Sequence, residues 1–322
     1  MADNLNSGLD RSVSSDDTRF VMRWTCYSDY MTCPRYYQWA WGHSGVDFGN
    51  GEGAPHTPTS QKSNHDAALG TAIGYAVEIF YNENLWEKLT VDEPKIYMEH
   101  LAVKKLEEEC SKNYIDWMVS PSVSELVIIC EDGVLGFLKT LKHQRLLSRK
   151  SRSEVVKYSL INDEFYIRGT LDILIEDAEG KITILDGKNT KFKSTYLKKE
   201  QLLYYALCLY RETLSLPDRI GWLYYRFPYD KDLGGENEGV EWITYNQLDL
   251  EILLSNIIAV WENIKASNFE PTPSSNACKF CKFSNICDRK YIPKTRKSKS
   301  SNMEHHDVPY DEVGGRKIVR FE

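Results

Sequence analysis

The spacing of apolar and polar positions predicts helices, then a meander of strands, then helices again. Apolar residues at helical spacing mark helices over about 28–41, 65–82, 95–112 and 121–148; the third ends before Asn113 and the fourth starts after Pro121. Alternation then takes over, and Glu154–Ile161 and Glu164–Ile175, joined by Asn162-Asp163, read as strands. A turn at Ala178-Glu179-Gly180 leads into a third strand, Lys181–Lys188, and a helix runs from Tyr196 to Tyr210. Ile220–Phe227 and Val240–Tyr245 read as further strands, followed by a helix over about 247–267. The class is α/β, an α-βββ-α-β core with a mixed sheet flanked by helices.

The hairpin from Arg168 to Lys188 carries the first chemistry. Gly180 supplies the left-handed third position that a three-residue loop favours. Counting outward from that turn sets Asp177 opposite Lys181 and Asp172 opposite Asp186, with Lys188 on the same side as Asp186. Opposed Cβ atoms lie ~4.5–5.5 Å apart, and like charges so placed repel. The repulsion calls for a cation. Two oxygen ligands suit a hard ion such as Mg²⁺ or Mn²⁺, which lowers the pKa of a bound water. Lys188 would then hold the attacking water or stabilise charge on a phosphate. The bland alternative is a solvated hairpin face, and a one-residue slip would put Asp186 and Lys188 on the face away from Asp172. In the helix that follows, Gln201 and Tyr205 stand four apart and share a face.

Gly169-Thr-Leu-Asp172, Ile184-Leu-Asp186-Gly-Lys188 and Gln201-Leu-Leu-Tyr-Tyr205 together resemble, in order and spacing, the PD-(D/E)XK nucleases and specifically their RecB-like branch. The resemblance implies a restriction-endonuclease-like core and a metal-dependent deoxyribonuclease. Asp172 and Asp186 would bind Mg²⁺ or Mn²⁺, Lys188 would assist the water, and Gln201 and Tyr205 would position DNA and the lysine. It further implies exonuclease action on single-stranded ends, in recombination, repair, phage or CRISPR-related processing. That branch usually carries G-x-x-x-H in a helix before the hairpin, the histidine being a further ligand. Here Gly70-Thr-Ala-Ile-Gly74 puts Gly74 in its place, and Glu78, one turn on, is the candidate substitute. His65 falls on the opposite helix face. The missing histidine supports a rival, a DNA-binding adaptor that kept the fold with weakened turnover. A redox or iron sensor is the third reading.

Eight cysteines without a signal peptide or transmembrane run argue against a disulfide framework. Cys278, Cys281 and Cys287 have C-x2-C-x5-C spacing and need a fourth ligand to close a site. Tyr27-Ser28-Asp-Tyr-Met-Thr-Cys33-Pro34-Arg-Tyr-Tyr37 resembles the S-x4-C-P-x-x-Y element of RecB-like nucleases that carry a [4Fe–4S] cluster, the CRISPR-associated ones and AddB among them. The resemblance implies Cys33, rather than Cys26, as the fourth cluster ligand. Zn²⁺ is the alternative, because four thiolates satisfy it equally. Cys110, Cys130 and Cys208 read as buried thiols.

Composition sets the frame. The 322 residues are 42% hydrophobic and 12% aromatic, enough for a sizeable core. The organisation expected is a disordered stretch over 1–20, one nuclease domain over 21–290 and a flexible charged tail over 291–322 with a terminal strand at 317–321. Within the domain stand a helical insertion (about 65–148), a catalytic core (about 150–246) and a lid formed by Cys33 with 278–287. A net charge of −7 argues against broad nonspecific nucleic-acid binding by the whole surface but leaves room for a basic groove. Arg145, Arg149, Lys150 and Arg152, in a basic run ending at Lys157, and Lys191 and Lys193 beyond the hairpin are the DNA-backbone candidates. No G-x4-G-K-[ST] loop is present, so a helicase, recombination or CRISPR partner would act in trans. No membrane contact is expected, and the location is cytoplasmic, the host cytoplasm for a phage-encoded chain. Homo-oligomerisation is left open.

Overall fold

The computed structural model describes residues 19–41, 65–88, 93–111, 121–191, 197–227, 239–279, 281–289, 310–313 and 316–319. Most of the stretch expected to be disordered lies outside them. The chain runs β1 (Phe20–Arg23), α1 (Trp24–Thr32), α2 (Pro34–Trp41), α3 (His65–Asn82), α4 (Leu85–Lys88), α5 (Glu93–Ser111) and α6 (Val123–Gln144). It continues with β2 (Arg152–Ile161), β3 (Phe165–Glu176), β4 (Ile182–Lys188), α7 (Lys199–Thr213), β5 (Arg219–Tyr224), β6 (Val240–Ile243), α8 (Gln247–Lys265) and α9 (Ser275–Lys279). A separate two-stranded ribbon joins β7 (Tyr310–Val313) to β8 (Arg316–Val319), where one terminal strand was expected.

Local chemistry sets the boundaries. Ser122 with Glu125 and Asn246 with Asp249 form capping boxes that start α6 and α8. The single helix expected over 28–41 is two helices. Cys33 is extended (φ −165°, ψ 113°), because the residue before a proline is pushed out of the α region, and this sets Cys33 at the corner between α1 and α2.

The sheet has six strands and is mixed. The long β3 pairs antiparallel with β2 along one edge; its other edge takes β1 in parallel at Phe165–Arg168 and β4 antiparallel at Ile173–Glu176. β4 then pairs in parallel with β5, and β5 antiparallel with β6. β1 lies outside the core range expected from sequence. It is only four residues long, and Tyr204 of α7 ties it down by donating to the Met22 carbonyl at 2.6 Å.

Each face of the sheet has its own core. One joins Leu171, Ile184 and Trp222 to α1, α2, α7 and α8. The other joins Ile173, Leu185 and Leu223 to α3, α5 and α6. Leu171 and Ile173, two apart on β3, therefore pack on opposite faces, so regular alternation is interrupted at Asp172. Opposite that break, on β2, Glu154 adopts φ 54° and drops out of the ladder between Ser153↔Ile173 and Val155↔Leu171. Among the described residues, no helix is long and apolar enough to cross a membrane.

Candidate active site

The β3–β4 turn is the one that the sequence predicts. Gly180 is left-handed (φ 81°), Asp177 and Lys181 close the loop at 3.0 Å, and Ile173 pairs with Leu185. This register brings Asp172 and Asp186 together at the end of the ladder. Asp172 Oδ2 accepts the Gly187 amide at 2.9 Å. Asp186, 1% exposed, accepts a hydrogen bond from Gln201 Nε2 at 3.0 Å and forms an ion pair with Lys188. Its Oδ2 has no well-directed hydrogen-bond donor beyond that ion pair.

Burial raises the pKa of both carboxylates. For Asp172 the neighbouring Asp186 pushes further in the same direction, against Lys188 and the Gly187 amide. For Asp186, Lys188 opposes the rise. Two desolvated, mutually repelling carboxylates are costly to keep, and such pairs cluster at functional sites.

Neighbouring elements fix each group. α7 turns Gln201 toward the sheet, where its amide also meets the Tyr205 hydroxyl at 2.9 Å. The resemblance gives this pair to DNA and the lysine; here Gln201 orients Asp186, and Tyr205 backs Gln201. Lys188 Nζ lies 4.9 Å from the ring centre of the buried Trp222, which stands beside Asp186 on β5. The central residue of Asp186-Gly187-Lys188 has to be small: a methyl group at Gly187 would come no further than 3.0 Å from three atoms of the Tyr225 ring and hydroxyl.

A cavity of about 470 Å³ opens beside Asp172. Its walls include Gly70, Gly74, Tyr75 and Glu78 of α3, Lys105 of α5, Glu154 of β2 and Tyr225. The Gly74 position faces open space, with nothing within 4 Å of where a Cβ would stand. Glu78 lines this same cavity. Glu154 was not anticipated. Its pKa is raised by burial, then by Glu78 and Asp186, so it belongs to the same acidic cluster. The signal was present in the β2–β3 hairpin. Expected to turn on Asn162-Asp163, it turns on three residues, 162–164, with Ile161 paired to Phe165. That one-residue difference moves Glu154 opposite Asp172.

The basic candidates are less concentrated than their run suggests. Arg149 pairs with Glu87 at 2.6 Å and Lys150 with Glu176, while Arg152 donates to the Ser151 carbonyl at 2.7 Å. Arg145 is the left-handed C-cap of α6, and Lys191 is exposed. Lys157, the end of the run, is 1% exposed and pairs with Glu212 at 3.0 Å, so it forms no part of a surface. Lys193 lies outside the described residues.

At the other end, Cys33, Cys278, Cys281 and Cys287 line one cavity of about 210 Å³. The Cys281 thiol is raised by burial and by each of the other three. Cys26 is buried in the core and is not among the residues that line that cavity. Cys130 and Cys208 are fully buried, with Cys130 pushed up to about 12, while Cys110 is partly buried. Among the described residues, no group of three or more His, Cys, Asp or Glu side chains is disposed to hold a metal ion.

The model of one family, described as the PD-(D/E)XK nuclease superfamily, matches residues 25–288. The chain belongs to the PD-(D/E)XK nuclease superfamily. Membership makes it a nuclease by family, with DNA as the family's substrate and Mg²⁺ or Mn²⁺ as the usual ions, and the mixed sheet flanked by helices agrees with the family's restriction-endonuclease-like fold. No curated protein matches the chain. Among solved structures, the one described as "Crystal structure of SSO0001" is similar over 75% of this chain and 92% of that chain, with 14% identity and a TM-score of 0.32.

Proposed function

We propose that this superfamily member is a divalent-metal-dependent deoxyribonuclease of the RecB-like branch that acts as an exonuclease on single-stranded ends. The observation that carries the reading is the buried Asp172–Asp186 pair with Lys188 joined to it. The donor set fits a hard ion: carboxylate oxygens are what Mg²⁺ and Mn²⁺ prefer, and Mg²⁺ is held by as few as one or two carboxylates. Asp186 Oδ2 meets Lys188 in an ion pair and takes no other donor, so an ion bound there would share that oxygen with the lysine. Asp172 and Asp186 would hold it, and Glu154 and Glu78 line the same cavity as Asp172. The ion supplies a water of lowered pKa and charge stabilisation at the phosphate.

The chain's own groups do the rest. Gln201 holds the Asp186 carboxylate in one orientation, and the Gly187 amide does the same for Asp172. The Trp222 ring face holds the Lys188 ammonium beside Asp186. Lys188 can donate to the attacking water or to a phosphate oxygen, which places positive charge where negative charge develops.

We further infer that Cys33, Cys278, Cys281 and Cys287 hold a [4Fe–4S] cluster. Four free thiols line one cavity, and thiolate is the donor type that such a cluster takes. A single zinc requires every sulfur at ~2.3 Å. The cavity between the thiols and the resemblance of the Cys33 segment favour the cluster, whose own atoms stand between its ligands. The support is for a clamp between the two ends of the domain.

Gly74 favours a second reading, a DNA-binding adaptor with little turnover. The deciding experiment is cleavage of end-labelled single- and double-stranded DNA with Mg²⁺ or Mn²⁺, wild type beside Lys188→Ala. Shortening of single strands that disappears in the variant supports the exonuclease. A folded, cluster-loaded wild type that binds DNA and leaves it intact puts the adaptor first.

A further inference from the structure

We propose that Tyr75 and Lys105 form a nucleotide subsite at the catalytic cavity, the Tyr75 ring stacking on a base of a single strand and Lys105 taking the adjacent backbone phosphate. The proposal rests on the nuclease reading and gives it a source of strand preference. Tyr75 sits on α3 immediately after Gly74, and its neighbours Ala72, Ile73, Ala76 and Val77 are at most 1% exposed. Tyr75 is 37% exposed, so its ring is left out of that core. It lines the same cavity as Asp172 and Glu154.

Lys105 reaches this place from α5. Its Nζ lies 5.8 Å from the centre of the Tyr75 ring. Among the described residues lining the cavity it is the one lysine or arginine, in a lining that also holds the acids Glu78, Glu154 and Asp172. A phosphate entering this acidic space is drawn to that ammonium. Asn189 also lines the cavity, and its Oδ1 is a buried acceptor without a donor, suited to a base N–H such as thymine N3–H. An aromatic face beside a cation is how single strands are gripped without sequence preference, and a duplex keeps its base faces covered. The competing account is structural, since Lys105 also pairs with Glu108 at 3.3 Å and with the buried Glu109 at 3.4 Å.

The test measures binding in a non-cleaving background. Fluorescein-labelled oligo-dT is titrated by fluorescence anisotropy with Lys188→Ala protein in Mg²⁺, then with the same protein also carrying Tyr75→Ala, Tyr75→Phe or Lys105→Gln. Tyr75→Ala should weaken binding about tenfold, Tyr75→Phe should retain it, and affinity for a duplex of equal length should change by less than about twofold. Lys105→Gln should weaken binding and lower the slope of log affinity against log salt by about 0.7, which a purely structural lysine would not do. Circular dichroism confirms that each variant is folded. Unchanged affinity in folded Tyr75→Ala overturns the subsite, as does a parent that does not bind oligo-dT. Should wild type fail to cleave while Tyr75-dependent binding persists, the nuclease reading falls and the subsite stands. Cleavage with binding and KM indifferent to Tyr75 has the opposite meaning.

Discussion

Replacing Gly187 with alanine tests how the sheet holds its carboxylates. The added methyl would stand no further than 3.0 Å from Oη, Cζ and Cε2 of Tyr225, a side chain 4% exposed and packed against Phe137. Carbon contacts become favourable at ~3.5–4.0 Å, so ring or strand has to shift on the order of 1 Å. Overpacking of this kind costs ~1–3 kcal/mol. The Gly187 amide that moves is the one holding Asp172, and misplacement by about 1 Å costs cleavage roughly a hundredfold. Urea unfolding in EDTA gives the stability, with an unchanged m-value required for the comparison. Tyr225→Leu, combined with Gly187→Ala, should relieve the crowding, making the double variant less unstable than the two single costs together by about 1 kcal/mol or more. Strict additivity, or a Gly187→Ala protein within about 0.5 kcal/mol of wild type and fully active, would refute the reasoning.

Three further outcomes follow. Gly74 is interior to α3 with free space where a side chain would start, so Gly74→Ala should raise stability by about 1 kcal/mol in urea unfolding; destabilisation would mean that the position is crowded. Burial and Asp186 raise the pKa of Asp172, so ionising it costs the fold, a penalty absent below the ordinary value of 3.8 and growing as pH rises above it. Asp172→Asn should therefore stabilise metal-free protein more at pH 7 than at pH 4, and an equal effect at both would acquit the charge. Cys33→Ser should lower bound iron and sulfide, measured chemically on anaerobically purified protein, whereas Cys26→Ser should leave both unchanged; the reverse result would reassign the fourth ligand.

The hairpin was legible because one residue decides it. Gly180 fixed the register, and with the register came the apposition of Asp172, Asp186 and Lys188. Long amphipathic helices such as α3 and α5 were legible from periodicity. Three things were not. Four-residue β1 carries no pattern of its own, and only its parallel pairing to β3 and the Tyr204 hydrogen bond define it. Glu154 hid as the only acid in a basic run, because its place opposite Asp172 depends on a turn one residue longer than its sequence suggests. The basic run itself is partly offset on the surface, since Arg149 and Lys150 meet acids that lie 62 and 26 residues away in the chain. Charge clustering along a sequence is not charge clustering on a surface.

The cysteine end and the carboxylate end of the molecule are physically joined. Tyr30 and Arg35, in the helices flanking Cys33, bond to the carbonyls of Asn268 and Phe269, and the Thr272 hydroxyl bonds to the Thr32 carbonyl at 3.1 Å. These contacts hold the N-terminal corner to the C-terminal segment whatever the cysteines carry. From α1 the connection continues: Ser28 accepts from Lys198 Nζ at 3.3 Å, the Lys198 carbonyl receives the Gln201 amide at 2.9 Å, and the Gln201 side chain holds Asp186. Loosening the corner would thus reach Asp186 through the first turn of α7. Asp172 is held separately, by a β4 amide within the sheet. Damage at the cysteine end should misorient one carboxylate of the pair before the other, and weaken catalysis before the sheet itself comes apart.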